Sequence, residues 1–253
     1  EPDSYSIFVM VVATSMACLG ILILGARAAA TITTEKEQET WQALVSSPLE
    51  GREIIAAKIW GAIYSMRVVL LLLLVLWVPT FFSEPTMLLG FLFSLAAVFA
   101  VALFAAALGV LLSLRSSSSN RAATWTLWTM VFLGGGDMFC CIPMMIGLGP
   151  GEDFVIVVYL APCSPFLIGF PAMAAWSELG GGEEFLYSAY MLGVLGYAIG
   201  AGVVYTTASS RFDEFAGRTK GNRVWTSPPV PRTEHAGPIS LRDSSSQEKT
   251  EGD

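Results

Sequence analysis

The sequence predicts an all-α, polytopic membrane protein with about five transmembrane helices. Its residues are 54% hydrophobic and 14% charged, and its mean hydropathy is +0.61, which is typical of a membrane protein and not of a soluble one. Five apolar runs each have about the 20 residues that a helix needs to cross the hydrocarbon core. They lie at 6–30, 59–82, 87–114, 122–147 and 185–209.

The links between these runs alternate in charge. All fourteen Lys and Arg residues can be placed on one side of the membrane. The links on the other side hold acidic residues without Lys or Arg: Glu1, Asp3, Glu84, Glu152, Asp153, Glu178, Glu183 and Glu184. By the positive-inside rule, the basic links and the C-terminus are cytoplasmic and residue 1 is outside. We expect the protein in the cell (inner) membrane.

The first element is expected at 6–30, and what precedes it is open. Residue 1 is Glu and not Met, and nothing before Ser6 resembles the positive start of a signal peptide. Five spans with an outside N-terminus are expected if an earlier span precedes this sequence. A protein whose own N-terminus lies outside is the alternative.

The first cytoplasmic loop, residues 31–58, is predicted to be a helix, a break and a second helix. Thr34 with Glu37 has the spacing of a capping box, and Ser47-Pro48-Leu49-Glu50 forms a second helix start with Pro48 at the first helical position. Between the two starts, three apolar residues share one helical face: Trp41, Leu44 and Val45. Three acidic residues flank this ridge: Glu35, Glu37 and Glu39.

This loop could lie on the lipid surface or dock on a protein. Helices that lie on lipid usually carry Lys and Arg on their polar face. Here three Glu accompany the single Lys36, which is unfavourable beside an anionic leaflet. The sequence therefore favours a protein partner.

Residues 154–176 are apolar enough to span, but Pro162, Pro165 and Pro171 interrupt them. A full crossing would place the basic tail outside, and a helix broken by three prolines leaves backbone groups unsatisfied in lipid. We expect a re-entrant hairpin at the outer face. Residues 1–210 then form the transmembrane domain and 211–253 a cytoplasmic tail that is largely disordered, because its last thirty or so residues are rich in Pro, Ser, Thr and charge.

Several site classes have no support in this sequence. The four cysteines lack metal-ligand spacing, although Cys163 could pair with Cys140 or Cys141 if the thiols are not free. His235 is the only histidine and lies in the polar tail, which argues against zinc or His-based catalysis. No basic patch with interleaved aromatics suggests nucleic acid. No G-x-x-x-x-G-K-[ST] loop is present, so we expect neither a catalytic site nor a cofactor on this chain.

The loop residues 35–49, EKEQETWQALVSSPL, resemble the signature loop of ABC type-2 exporter permeases. That family carries E-(K/R)-E-x-G-T-(L/W)-E-x-L-L-x-(S/T)-P after its second span. The matching residues are Glu35, Lys36, Glu37, Thr40, Trp41, Leu44, Ser47 and Pro48, whereas Glu39 stands for the usual Gly and Gln42 for the usual Glu. Arg52-Glu53-Ile54 and Lys58 resemble the family's lead into its next span, and 159–165 (YLAPCSP) its Pro-rich outer segment.

This resemblance implies the permease subunit of an ATP-driven exporter that lacks its first span here. A separate ABC ATPase subunit would bind ATP and Mg²⁺, and a second permease subunit would complete the path. The coupling loop would bind the ATPase through seven residues: Glu35, Glu37, Thr40, Trp41, Leu44, Ser47 and Pro48.

Two other functions are alternatives to the exporter. A membrane anchor or assembly subunit would recruit a soluble partner through the same loop without a transport path. An ion channel or secondary transporter is disfavoured, because such proteins usually need charged residues within their spans. Arg67 and Asp137 are the candidate pathway residues. The favoured interpretation of Arg67 is that it extends toward the headgroups, and Asp137 could equally lie near outer water.

Overall fold

The computed structural model describes residues 4–38, 40, 50–83, 87–136, 167–169 and 183–215. Within these residues every regular element is helical. In chain order they are α1 (Ser4–Glu37), α2 (Gly51–Ser65), α3 (Arg67–Ser83), α4 (Met87–Arg115), α5 (Ser119–Val131), a π-helical turn (Phe132–Gly136) and α6 (Glu183–Phe215). Contacts divide the chain into residues 1–218 and 219–253, and all described residues belong to the first unit.

The described helices confirm an all-α polytopic membrane protein. Four stretches are long and apolar enough to cross a bilayer: Val11–Glu37, Gly51–Pro79, Gly90–Arg115 and Tyr190–Phe212. They correspond to the predicted runs 6–30, 59–82, 87–114 and 185–209. The remaining predicted run, 122–147, is described only to Gly136, where α5 passes into the π-helical turn.

Of the two helix starts predicted in loop 31–58, the one at Thr34 is wrong in position. Thr34 does not begin a helix, because α1 continues through it to Glu37 and its hydroxyl donates to the Ala30 carbonyl at 2.7 Å. Such a bond to the preceding turn is typical of a helix interior. The next helix that the structure describes begins at Gly51, and the predicted start at Ser47 and Pro48 lies outside the described residues. The cap of the helix at Gly51 is Glu50, whose N–H lies 3.3 Å from Glu53 Oε2, as in one half of a capping box.

The predicted run 59–82 consists of two helices that meet at Met66. At this residue the backbone has φ −79° and ψ −5°, which belongs to the sparsely populated bridge region and not to a continuing α-helix. The Met66 N–H bonds to the Ile63 carbonyl at 2.9 Å, a tightened last turn. Arg67 therefore begins α3 and does not lie in mid-helix.

Helix α4 lies at the centre of the described bundle, and small residues bring α1 against it. A Cβ placed on Gly109 would lie 2.7 Å from the Gly25 carbonyl oxygen and 2.9 Å from both Ala28 Cβ and Ala29 N. Ala105, Ala28 and Ala29 are fully buried around this contact. Helices in lipid pack by such close backbone approach, because burying apolar side chains gains little where the solvent is itself apolar.

Residues 167–169 are the described part of the predicted re-entrant segment 154–176. Leu167 and Ile168 are buried, and the Ser94 hydroxyl donates to the Ile168 carbonyl at 2.6 Å. Ser94 lies seven residues into α4, or about 10 Å along the helix from its first residue. This short helical piece therefore contacts α4 about two turns after its first residue. The rest of the predicted hairpin lies outside the described residues.

The Gly109 contact generates a prediction about stability. Gly109→Ala should destabilise the protein by about 1–3 kcal/mol, because the added methyl group meets backbone atoms of α1 that cannot rotate away. Thermal unfolding of the full-length protein in detergent micelles measures the effect. Gly202→Ala in α6 is the matched control, since nothing lies within 4 Å of its added carbon and alanine favours helix. Equal unfolding temperatures for the two variants would contradict close packing at Gly109.

Candidate functional site

Three consecutive charged residues at the end of α1 each contact a different helix. Glu35, Lys36 and Glu37 reach α2, α4 and α5 respectively, and we call them the α1 charge cluster. A helix places successive residues about 100° apart around its axis, so three neighbours can face three directions. The cluster lies where the α1 helix enters the predicted coupling loop 31–58.

Glu35 forms an ion pair with Lys58 of α2. The two side chains are only 23% and 24% exposed, and they lie near the two ends of loop 31–58. Glu35 Oε2 is buried and accepts no hydrogen bond, so Lys58 supplies the compensation for this carboxylate. Removing one partner of such a pair leaves a poorly solvated charge, which is costly. The pair therefore ties the two ends of the loop together.

Lys36 contacts the C-terminal end of α4, and Glu37 contacts the N-terminal end of α5. Lys36 Nζ donates to the Leu114 carbonyl at 2.9 Å, in the last turn of α4. Glu37 Oε1 accepts from the Ser119 N–H at 2.8 Å and from its hydroxyl at 3.1 Å, at the first residue of α5. The cation thus meets free carbonyls and the anion meets free N–H groups, which is the favourable arrangement for both helix dipoles.

Glu37 provides the N-terminal cap that α5 otherwise lacks. The residue before α5 is Ser118, and its side chain makes no capping hydrogen bond. A carboxylate from another helix takes this role, although it lies 82 residues earlier in the chain. Satisfying one of the free N–H groups at a helix start typically contributes about 0.5–2 kcal/mol.

A buried hydrogen bond supports the cluster one turn earlier. The Thr33 N–H donates to the Ser113 hydroxyl at 3.0 Å, and both residues are fully buried between α1 and α4. Buried polar groups are retained when they are paired, and this pair also sets the register of the two helices. The register places Lys36 beside the end of α4.

Among the predicted partner-binding residues, the structure describes Glu35, Glu37 and Thr40. The Thr40 N–H and hydroxyl lie 3.1 and 3.2 Å from the Glu35 carbonyl oxygen, so Thr40 closes a turn at the end of α1. Trp41, Leu44, Ser47 and Pro48 lie outside the described residues, as does the candidate pathway residue Asp137. Sequence reasoning missed Ser119, because nothing local to it indicates a partner on α1.

Arg67, the other candidate pathway residue, lies apart from the charge cluster. It is exposed at the start of α3, and its Nη1 donates to the Tyr64 hydroxyl at 2.8 Å. Its guanidinium also lies over the Tyr64 ring, with 4.8 Å between Cζ and the ring centroid. No acidic side chain of the described residues pairs with it.

One small cavity lies within the described bundle. It has a volume of about 20 Å³ and lies between α1, α3 and α4, lined by Thr14, Trp77, Phe91, Ser94 and Ile168, among others. This volume suits about one water molecule. The described residues also contain no group of His, Cys, Asp and Glu that could hold a metal ion.

Comparison with known families supports the membrane class that the helices indicate and the family that the loop motif resembles. The family model described as ABC-2 family transporter protein matches residues 4–213, from the start of α1 almost to the end of α6. The chain belongs to the ABC-2 transporter family. Neither the curated proteins nor the solved structures gave a match to the chain.

Membership identifies the chain as a membrane permease component of an ABC transporter. In this family the permease is the transmembrane component and not the ATPase, and it normally works with an ABC ATPase partner. The ABC-2 chain described here is thus a multi-pass membrane protein. The roles predicted for its loop residues remain predictions.

The capping role of Glu37 can be tested by substitution. Glu37→Ala should lower stability by about 0.5–2 kcal/mol and speed amide exchange at the start of α5, because the Ser119 N–H loses its acceptor. Glu37→Gln should lose less, since an amide oxygen still accepts. Thermal unfolding and hydrogen exchange measure these effects, with the exposed Glu214→Ala as control. Unchanged exchange at residues 119–122 would show that Glu37 is not the cap.

Proposed function

We propose that this chain is the transmembrane permease subunit of an ATP-driven exporter, and that loop 31–58 transmits motion from a separate ATPase subunit. The observation that carries the proposal is the α1 charge cluster. Because Glu35, Lys36 and Glu37 join the start of the loop to α2, α4 and α5, a displacement of the loop acts on four helices together. The membership in the ABC-2 family supplies the class of transporter.

In this proposal the loop residues divide into two roles. Glu35 and Glu37 hold the base of the loop, because their carboxylates already bind Lys58 and Ser119. The apolar ridge of Trp41 and Leu44, with Thr40, Ser47 and Pro48, contacts a groove of the ATPase as the coupling helix. The ATPase binds ATP and Mg²⁺, and this chain binds no cofactor.

The transport path is proposed to lie between two permease subunits. The cavity between α1, α3 and α4 is too small for a solute, and the described helices carry many large apolar side chains on their outer surface. A second copy or a homologous permease would enclose a path with part of that surface, as symmetric oligomers commonly do. We place the pair in the cell membrane, with the tail in the cytoplasm.

Trp41 provides the test of the coupling loop. Trp41→Ala should weaken binding of the ABC ATPase by about 30-fold, equivalent to about 2 kcal/mol, because a central aromatic anchor is lost from the interface. The measurement is the affinity of the purified ATPase for the full-length chain in nanodiscs, together with ATP hydrolysis by the complex. Trp125→Ala is the control, since Trp125 is exposed on α5, away from the loop.

Two outcomes would contradict this proposal. Wild-type affinity in Trp41→Ala would remove Trp41 as the anchor. A stable complex that contains the ATPase but one permease only, by mass measurement in nanodiscs, would contradict the shared path and favour the membrane anchor.

The orientation has its own test. Single cysteines replacing Glu84 and Glu183 should react with an impermeant thiol reagent in intact cells, because both positions lie in the acidic outer links. Cysteines replacing Ser117 and Ser245 should react only after permeabilisation. The native cysteines 18, 140, 141 and 163 are first replaced by alanine. Labelling of residue 245 from outside would refute the proposed orientation of the tail.

A further inference from the structure

Arg67 carries its charge on an exposed, apolar surface of the bundle, away from the α1 charge cluster. It begins α3, between the exposed side chains of Tyr64, Val68 and Leu71. A Cβ on Gly20, halfway along α1, would lie 2.9 Å from Val69 Cγ1 and 3.3 Å from Met66 Cε. Arg67 is therefore level with the middle of α1 and not with the α1 charge cluster. A charge among apolar side chains is costly in lipid unless it extends to the headgroups or meets an opposite charge.

The side chain of Arg67 turns back from the start of α3 toward the last turn of α2. Its Nη1 bonds to the hydroxyl of Tyr64, which lies one turn closer to the α1 charge cluster. Helical side chains tilt toward the helix N-terminus, so the guanidinium points toward α2 and, in the orientation proposed above, toward the cytoplasmic side. Among the described residues, Glu35 pairs with Lys58 and no carboxylate pairs with Arg67. The partner of Arg67 is the neutral phenol of Tyr64.

The Arg67 and Tyr64 groups together lack an acceptor. The guanidinium has five N–H groups and uses one of them on Tyr64. The Tyr64 hydroxyl accepts that bond and keeps its own proton to donate. Tyr64 is 67% exposed, so both donors are open to a ligand from the surface. A phosphate suits such a pair, because its oxygens match the planar fork of an arginine and also accept from a hydroxyl.

The surface around Arg67 indicates that the phosphate belongs to a lipid. Val68, Leu71 and Val75 continue the exposed face from Arg67 away from the charge cluster, and each is at least half exposed. On the other side Gly61 is exposed, and nothing lies within 4 Å of its Cβ position. An acyl chain can follow the aliphatic side chains while a headgroup occupies the space beside Gly61.

We propose that Arg67 and Tyr64 bind the phosphate of an anionic phospholipid, whose acyl chains lie along Val68, Leu71 and Val75. With the orientation proposed above, this lipid comes from the cytoplasmic leaflet, where anionic lipids attract basic groups. The binding site itself does not depend on transport or on an ATPase. The lipid site can therefore prove wrong while the proposed function holds, and the proposed function can prove wrong while the lipid site holds.

The experiment compares two lipids with identical acyl chains on the delipidated full-length protein. Native mass spectrometry measures the bound fraction of dioleoyl-phosphatidylglycerol and of dioleoyl-phosphatidylcholine over a titration. We expect the wild-type protein to bind the anionic lipid about tenfold more tightly, as one charge-assisted interaction allows. Arg67→Gln should abolish this preference, whereas Arg67→Lys keeps the charge but loses the fork and should retain part of it. Tyr64→Phe should reduce it while keeping the ring.

The control variant is Arg27→Gln, because Arg27 is an exposed arginine on α1 that makes no contact with Tyr64. The proposal is wrong if wild-type protein shows no preference, if Arg67→Gln retains it, or if Arg27→Gln loses it equally, which indicates general charge attraction. Displacement of the lipid by equimolar inorganic phosphate would also overturn it, because the site would then bind a free anion. Should Arg67→Gln fail to fold, Arg67→Lys and Tyr64→Phe decide the question.

Discussion

The close contact between α1 and α4 at Gly109 is the constraint on which the rest of the described structure depends. Gly109 lies against the backbone of Gly25 and Ala29 and the methyl group of Ala28, all in α1. From there the two helices run in the same direction, so that Thr33 meets Ser113 and Lys36 meets Leu114. A larger residue at the contact would separate the helices and shift this register. The small residues in the middle of the bundle therefore decide which polar groups meet at its end.

At the end of the bundle that carries the α1 charge cluster, charged side chains stabilise the helix ends. Helix ends expose carbonyls or N–H groups that cannot remain unsatisfied near lipid. Lys36 and Glu37, adjacent in sequence and opposite in charge, satisfy the end of α4 and the start of α5. The Glu35–Lys58 pair adds α2. Each contact joins α1 to another helix, so a movement of the base of the loop is transmitted to all four helices. The proposed coupling requires this mechanical connection.

Lys58 and Arg67, two of the basic residues of the α2–α3 region, have different surroundings. Lys58 is largely buried and pairs with a carboxylate, whereas Arg67 is exposed and pairs with a phenol. The break at Met66 separates them, so that the helix carrying Arg67 begins at Arg67 itself. The first residue stabilises the loop from within the protein. The second offers its remaining donors to whatever covers the apolar surface, and that difference is the basis for the proposed lipid site.

The amino-acid sequence by itself determined the membrane class, the places of the described spans and the family, because hydrophobic length and the loop motif are local properties of the chain. It also indicated Glu35, Glu37 and Arg67 as residues of interest, since charge is conspicuous among apolar runs. Only the tertiary structure decided what these residues contact. Glu37 and Ser119 lie 82 residues apart, and no periodicity or spacing relates them. The continuation of α1 past Thr34 likewise depends on partners from α2, α4 and α5, because local capping signals are weak beside contacts that satisfy whole helix ends.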